Sequence, residues 1–208
     1  AQREHTKHIL PMVDEILAQA GIALHQVDAL VFGRGPGSFT GVRIGAGIAQ
    51  GLAFGADLPV IPVSNLAAMA QTAYVQYQAE NVLTAIDARM NEVYFAQWQA
   101  QKVRSDFGEF LDWQPMIAEQ VCSPSKVIEQ VAQQHHENAV LAGTGWAAYP
   151  ELKEANLGKV TEITLPSALY MLDLALPKWF AGETISPLEI EPIYLRNEVT
   201  WKKLPGRE

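Results

Sequence analysis

Cysteine is almost absent: Cys122 is the single thiol among 208 residues. It cannot close an internal disulfide, which fits a reducing cytoplasm, and it rules out zinc fingers and paired-thiol redox sites. Behaving as free cysteine usually does, it is expected to be small and buried. Charge is sparse as well, at 18% of residues. No apolar run is long enough to span a bilayer, so no membrane association is expected. The opening residues lack the basic-then-apolar pattern of a signal segment. Positive charge is in short supply, with 15 basic against 23 acidic residues and a formal net charge of −8. A protein that grips RNA alone usually shows a basic face. Here basic residues concentrate only at the C-terminus, in Arg196, Lys202, Lys203 and Arg207, so any contact with RNA is expected to run through a partner. An initiator methionine is also missing. The chain opens at Ala1 directly on a helical pattern, and upstream residues are expected.

What is present is a core. Hydrophobic residues make up 49% of the chain, enough for one ordinary domain or two small ones. Ile9, Leu10, Val13, Ile16, Leu17 and Ala20 recur at helical spacing, predicting a helix over 6–20 with Thr6 as its cap and Gly21 as its stop. Pro11 within it calls for a late start or a kink. Strands are predicted over 27–32 and 59–63, helices over 40–54 and from Ser64 to about Tyr77, with 55–58 closing the former. The pattern restarts after Glu80 with a strand over 82–86, a tight connection at 87–91 and an alternating strand over 92–99, which together read as a hairpin. A helix opened by Ser123, a strand over 139–142 and a helix over 166–182 follow, with Pro177 threatening a kink in the last. Alternating helices and strands with short connections predict an α/β fold. The restart suggests two similar lobes, residues 1–77 and 78–208.

The most informative stretch runs from Gly33 to Gly51. Its first part is a strand-to-helix loop in which Gly35 and Gly37 permit positive φ, Pro36 stiffens the turn, and Ser38 or Thr40 can cap the helix. Free N–H groups at such a helix start attract anions, so Gly35, Gly37, Ser38 and Thr40 are candidate phosphate-binding residues. The alternative is a tight, well-capped turn. Walker A spacing fails because Ser38 and Phe39 follow Gly37, and the nucleophile-elbow pattern fails because Pro36 and Thr40 flank Ser38. The second part is a helix with Gly41, Gly45 and Ala49 on one ridge and Gly47, Gly51 and Gly55 on another. Each interior glycine costs about 1 kcal/mol relative to alanine. Small ridges permit close approach, either by a neighbour in the same domain or by another subunit.

Arg34 to Gly45, read Arg-Gly-Pro-Gly-Ser-Phe-Thr-Gly-Val-Arg-Ile-Gly, resembles the signature of the TsaB (YeaZ) family. Three further stretches agree in order: Arg3-Glu4-His5-Thr6 with Ile9-Leu10-Pro11-Met12, Ile86 to Tyr94, and Pro192-Ile193-Tyr194-Leu195-Arg196. The resemblance implies an actin-like ATPase (ribonuclease H-like) fold of two lobes, the first incomplete at its N-terminus. The family's N-terminal hairpin and its phosphate loop would precede Ala1. ATP or ADP is therefore expected only at the interface of a complex. The resemblance further implies a non-catalytic partner of the TsaD-type transferase in forming threonylcarbamoyladenosine in tRNA. A TsaE-type ATPase would join the assembly, tRNA would be met through the complex, and the chain alone would form a homodimer. The pairing face would be the first two helices, with Leu10, Val13, Leu17, Arg43, Gly47, Gln50 and Gly51.

No catalytic or metal-binding residue is expected. The catalytic relative holds a metal on two histidines four apart, whereas His5 and His8 are three apart and position 9 is Ile9. His135 and His136 sit in a polar stretch that reads as a solvated loop. Asp87 and Glu92 flank a turn where Arg89 offers an ion pair or a turn bond. Two rival functions stand beside the leading one: an ATP-dependent phosphotransferase of the same fold superfamily, and a peptidase-like protein.

Overall fold

A computed structural model describes residues 5–135 and 137–196. Helix α1 spans His5–Ala20, β1 Leu30–Gly33, α2 Phe39–Ala56, β2 Val60–Val63 and α3 Asn65–Tyr77. Strands β3 (Asn81–Asp87), β4 (Val93–Ser105) and β5 (Gly108–Cys122) follow, then α4 (Pro124–Ala132), β6 (Val140–Ala142) and the short α5 (Gly145–Ala148) and α6 (Pro150–Glu154). Strand β7 (Lys159–Val160) and α7 (Ala168–Phe180) complete the regular elements.

Two sheets result. In the first, β1 and β2 run parallel, with Leu30 opposite Val60 and Gly33 opposite Val63. Ile185 bridges the far side of β2, exchanging two 2.9 Å hydrogen bonds with Val60. The second sheet has the order β5-β4-β3-β6-β7, and β4 alone runs against the others. Pro115 lies in β5, an edge strand, where a residue without an N–H does least harm.

Alternation along β3, β4 and β6 builds a core on each face of the second sheet. Val82, Ala96, Trp98, Val140 and Ala142 pack with α3, α7, Ile61 and Val63. Leu83, Ala85, Val93, Phe95 and Leu141 pack with Val127 and Val131 of α4 and with Trp146. A third core lies between the first sheet and α2, where Phe32 and Val60 meet Ala46, Ala49 and Ala53. Thus α3 and α7 are sandwiched between the sheets. Two buried indoles here are partnered: Trp98 Nε1 donates to Thr84 Oγ1 and Trp113 Nε1 to Gln71 Oε1, each at 2.9 Å.

Several elements differ from their sequence-based bounds. Helix α1 already includes Thr6, so Thr6 is not its cap, and the helix runs through Pro11 in its second turn. Strand β1 starts at Leu30, because Leu24–Gln26 are drawn into a single 3₁₀ turn whose Gln26 side chain accepts from Ala23 N. Ser38, not Thr40, caps α2, accepting from Gly41 N at 3.1 Å. Gly55 stays helical, and α2 closes on Asp57 in the left-handed conformation. Strand β5 has no counterpart among the sequence-based elements, because its polar residues and Pro115 obscure its period.

Phe95 is fully buried and meets Trp146 edge-on at 6.2 Å. Phe95→Ala should lower the unfolding free energy by about 3–5 kcal/mol, read by urea titration. A loss below about 1 kcal/mol would mean that this core is not close-packed.

Candidate functional site

The loop from Gly33 to Ser38 leaves β1 and enters α2. Gly35 takes φ +106°, so a glycine is required there, while Gly37 keeps an ordinary conformation. The loop is filled from behind. Asn65 N donates to Gly35 O at 3.0 Å, and Asn65 Nδ2 donates to Pro36 O at 3.0 Å. A Cβ on Gly35 would lie 3.2 Å from Ile193 O. Of the four candidate anion residues, Gly35 is therefore buried against the C-terminal segment and the Ser38 hydroxyl is engaged as a cap. Thr40 is exposed in the first turn of α2.

Beyond this loop α2 has two unlike sides. Val42, Ala46, Ala49 and Ala53 are buried. Gly47 and Gly51 are exposed, and a Cβ at either position would meet nothing within 4 Å. Arg43 is exposed and lies over the Phe39 ring at 5.1 Å, and Phe39 meets Tyr194 at 5.4 Å. Gln50 is half-buried and donates to Pro187 O at 3.1 Å, so it serves the C-terminal segment as well as the helix surface. On α1, Leu10 is exposed while Val13 and Leu17 are half-buried, and Met12 and Ile16 stand out at 57% and 62% exposure. Residues 7–20 of α1 include no buried side chain. An amphipathic helix that leaves its apolar stripe this open has not been covered within the described chain.

The C-terminal segment straps the loop to the second sheet. Ile193 N donates to Arg34 O at 2.9 Å. Arg196 then reaches the β3–β4 hairpin, donating to Ala88 O at 3.1 Å and pairing with Glu92 at 2.8 Å. The hairpin tip needs such support, since Arg89, Met90 and Asn91 all take positive φ (59°, 55° and 57°). Asp87 Oδ1 accepts from Arg89 N at 2.9 Å and from Tyr149 OH at 2.8 Å. Arg89 thus supplies the turn bond through its backbone, and Arg196 is the cation paired with Glu92. Burial, followed by the bond to Asp87, pushes the Tyr149 phenol above its ordinary value. Phe39, Tyr194 and Arg196 lay inside the quoted motifs, but no spacing rule linked them.

Other polar features lie elsewhere. Cys122 is buried, and burial, with Glu92 adding to it, pushes its thiol up to about 11, so it stays protonated and inert. His135 is exposed, and its carbonyl accepts from Asn81 and Gln97. His136 lies outside the described residues, as do Lys202, Lys203 and Arg207. Among the described residues no group of three His, Cys, Asp or Glu side chains could hold a metal. An open polar groove of about 710 Å³ lies at the Asn81 end of β3, lined by Tyr77, Glu80, Asn81, His135 and Lys159. No described helix is long and apolar enough to cross a membrane.

The five-stranded mixed sheet, the two-stranded parallel sheet before it and the helices between them define an α/β fold of the actin-like ATPase (ribonuclease H-like) type. The family model for TsaD, tRNA N6-adenosine threonylcarbamoyltransferase, matches residues 1–179. Within that class, the chain is 68% identical over 208 residues to the tRNA threonylcarbamoyladenosine biosynthesis protein TsaB of Haemophilus influenzae, covering 100% of this chain and 86% of the relative. It is 50% identical to the TsaB protein of Escherichia coli, covering 99% and 87%. A crystal structure of YeaZ-like protein from Pseudomonas aeruginosa superposes with TM-score 0.77 at 38% identity, over 92% of this chain and 84% of that one. The chain belongs to the TsaB (YeaZ) family.

Lys178 of α7 donates to Pro62 O at 3.2 Å, and burial, then the nearby Arg34 charge, lowers its amine below the usual 10.5. A depressed amine binds fewer protons folded than unfolded, so the wild type should gain stability over Lys178→Met as pH rises toward 10.5. Urea unfolding of both proteins at neutral pH and in that alkaline range checks this. A difference that stays flat or runs the other way would refute the depressed amine.

Proposed function

We propose that this chain is a non-catalytic partner subunit that binds and activates a TsaD-type transferase in the formation of threonylcarbamoyladenosine in tRNA. The pathway is supported by its similarity to tRNA threonylcarbamoyladenosine biosynthesis proteins over nearly its whole length. The observation that carries the partner role is the open ridge of Gly47 and Gly51. Glycine inside an exposed helix costs about 1 kcal/mol relative to alanine, and nothing within the described fold needs the space those glycines leave. Close approach by a second helix would use it. The bare apolar stripe of α1 supports the same reading, with Leu10, Val13 and Leu17 as contacts. Arg43 and Gln50 would border the α2 side of that face.

The same face would pair two copies when the chain is alone. A TsaE-type ATPase would join the complex, tRNA would be bound through it, and ATP or ADP would sit at a subunit interface. The reading places the assembly in the cytoplasm.

Gly47→Leu and Gly51→Leu provide the first test. Open space at both sites means that the fold should be kept, with thermal stability equal or higher. Binding to the TsaD-type protein, measured by calorimetry, should weaken by roughly tenfold or more, about 1.4 kcal/mol. Normal binding by both folded variants would put the face elsewhere.

The second test is reconstitution of tRNA modification from the TsaD-type and TsaE-type proteins and the carbamoyl-adenylate donor, with this chain added or withheld. Activity should depend on it. Activity unchanged in its absence, together with phosphotransfer or peptide cleavage by the chain itself, would favour one of the rival functions.

A further inference from the structure

Glu119 reaches out of the second sheet and ends among groups of the first. It lies on the edge strand β5. Its Oε2 accepts from Arg34 Nη2 at 2.9 Å, and its Oε1 accepts from the Ser64 hydroxyl. The two side chains of the ion pair are largely withdrawn from solvent, at 24% and 15% exposure.

Both donors are oriented by atoms of the first sheet rather than by Glu119. Arg34 Nη1 is fixed on Gly35 O at 3.3 Å, and the Arg34 backbone is held by Val63 O at 2.9 Å and by Ile193 N at 2.9 Å. Ser64 Oγ accepts from Ala67 N at 3.2 Å as the cap of α3, which leaves its own hydrogen to point outward. The N-terminus of this 13-residue helix adds a partial positive charge. Lys178, held on Pro62 O beside Arg34, adds a whole one, with Asp112 and Glu183 as nearby acidic counterparts. Such an arrangement of pre-aimed donors is what binds a carboxylate.

We propose that Arg34 and Ser64 form a carboxylate-binding site on the first sheet, filled from within the same chain by Glu119, and that this seated carboxylate is a latch between the two sheets. While Glu119 is seated, both donors are occupied and the loop 33–38 is locked to β5. When Glu119 is withdrawn, the loop loosens and the same donors accept a carboxylate from solution.

The test is hydrogen exchange of three backbone N–H groups next to the latch: Arg34, Asn65 and Ala67. Glu119→Ala should speed their exchange roughly tenfold, while the β3–β4 ladder keeps its wild-type rates. The atoms removed are those of an acetate ion, so acetate should restore slow exchange to this variant, and sodium chloride at equal ionic strength should not. Glu119→Gln keeps the shape and loses the charge. It should show raised exchange at the same three groups that acetate leaves unchanged, because the site is filled. Wild-type rates in either variant would overturn the latch. Failure of acetate to slow exchange in Glu119→Ala beyond the effect of chloride would overturn the carboxylate site.

Discussion

Arg34 is where three separately coded parts of the chain meet. Its N–H binds β2, its carbonyl receives the C-terminal strap, and its guanidinium takes Glu119 of the second sheet. Each of these bonds constrains the others, because one residue cannot shift toward one partner without leaving another. Removing one member of a largely buried pair strands the opposite charge, which costs more than the pair is worth. The register of the first sheet and the path of residues 185–196 are tied to the Arg34 backbone, and the second sheet is tied to both through its side chain.

The strap extends this constraint across the molecule. It begins as a bridge to Val60, receives Gln50 on Pro187, and passes behind Gly35. It ends with Arg196 in the hairpin of the second sheet. The hairpin, with three consecutive left-handed residues, would be costly by itself, and Arg196 and Tyr149 hold it from both sides. The loop at the start of α2 thus has its conformation dictated from behind. What it presents outward is Phe39, Arg43 and the first turn of the helix.

Helix α2 shows the division most clearly. Val42, Ala46, Ala49 and Ala53 form its buried side. Its glycines had two readings from sequence, packing within the domain or contact with another subunit. In the tertiary structure Ala49 faces the core, whereas a Cβ at Gly45, Gly47, Gly51 or Gly55 would meet nothing within 4 Å. Ridge spacing alone cannot make that choice, because it states which residues share a face and not what lies opposite.

Local chemistry was legible in the sequence. The α/β alternation, the Ser64 and Ser123 caps, the hairpin at 87–91 and the alternation of the strand over 92–99 all follow from period and from short-range hydrogen bonding, which neighbouring residues determine among themselves. The long strand β5 was not, because its partner lies across a hairpin and its polar outer face and Pro115 hide the alternation. Nor were the contacts of Arg34 with Glu119, 85 residues apart, or of Arg196 with Glu92, 104 apart. A charged side chain several methylenes long carries no trace in its own sequence neighbourhood of where its partner will stand. Only the packing of the two sheets, a consequence of all the apolar positions together, brings those ends into contact.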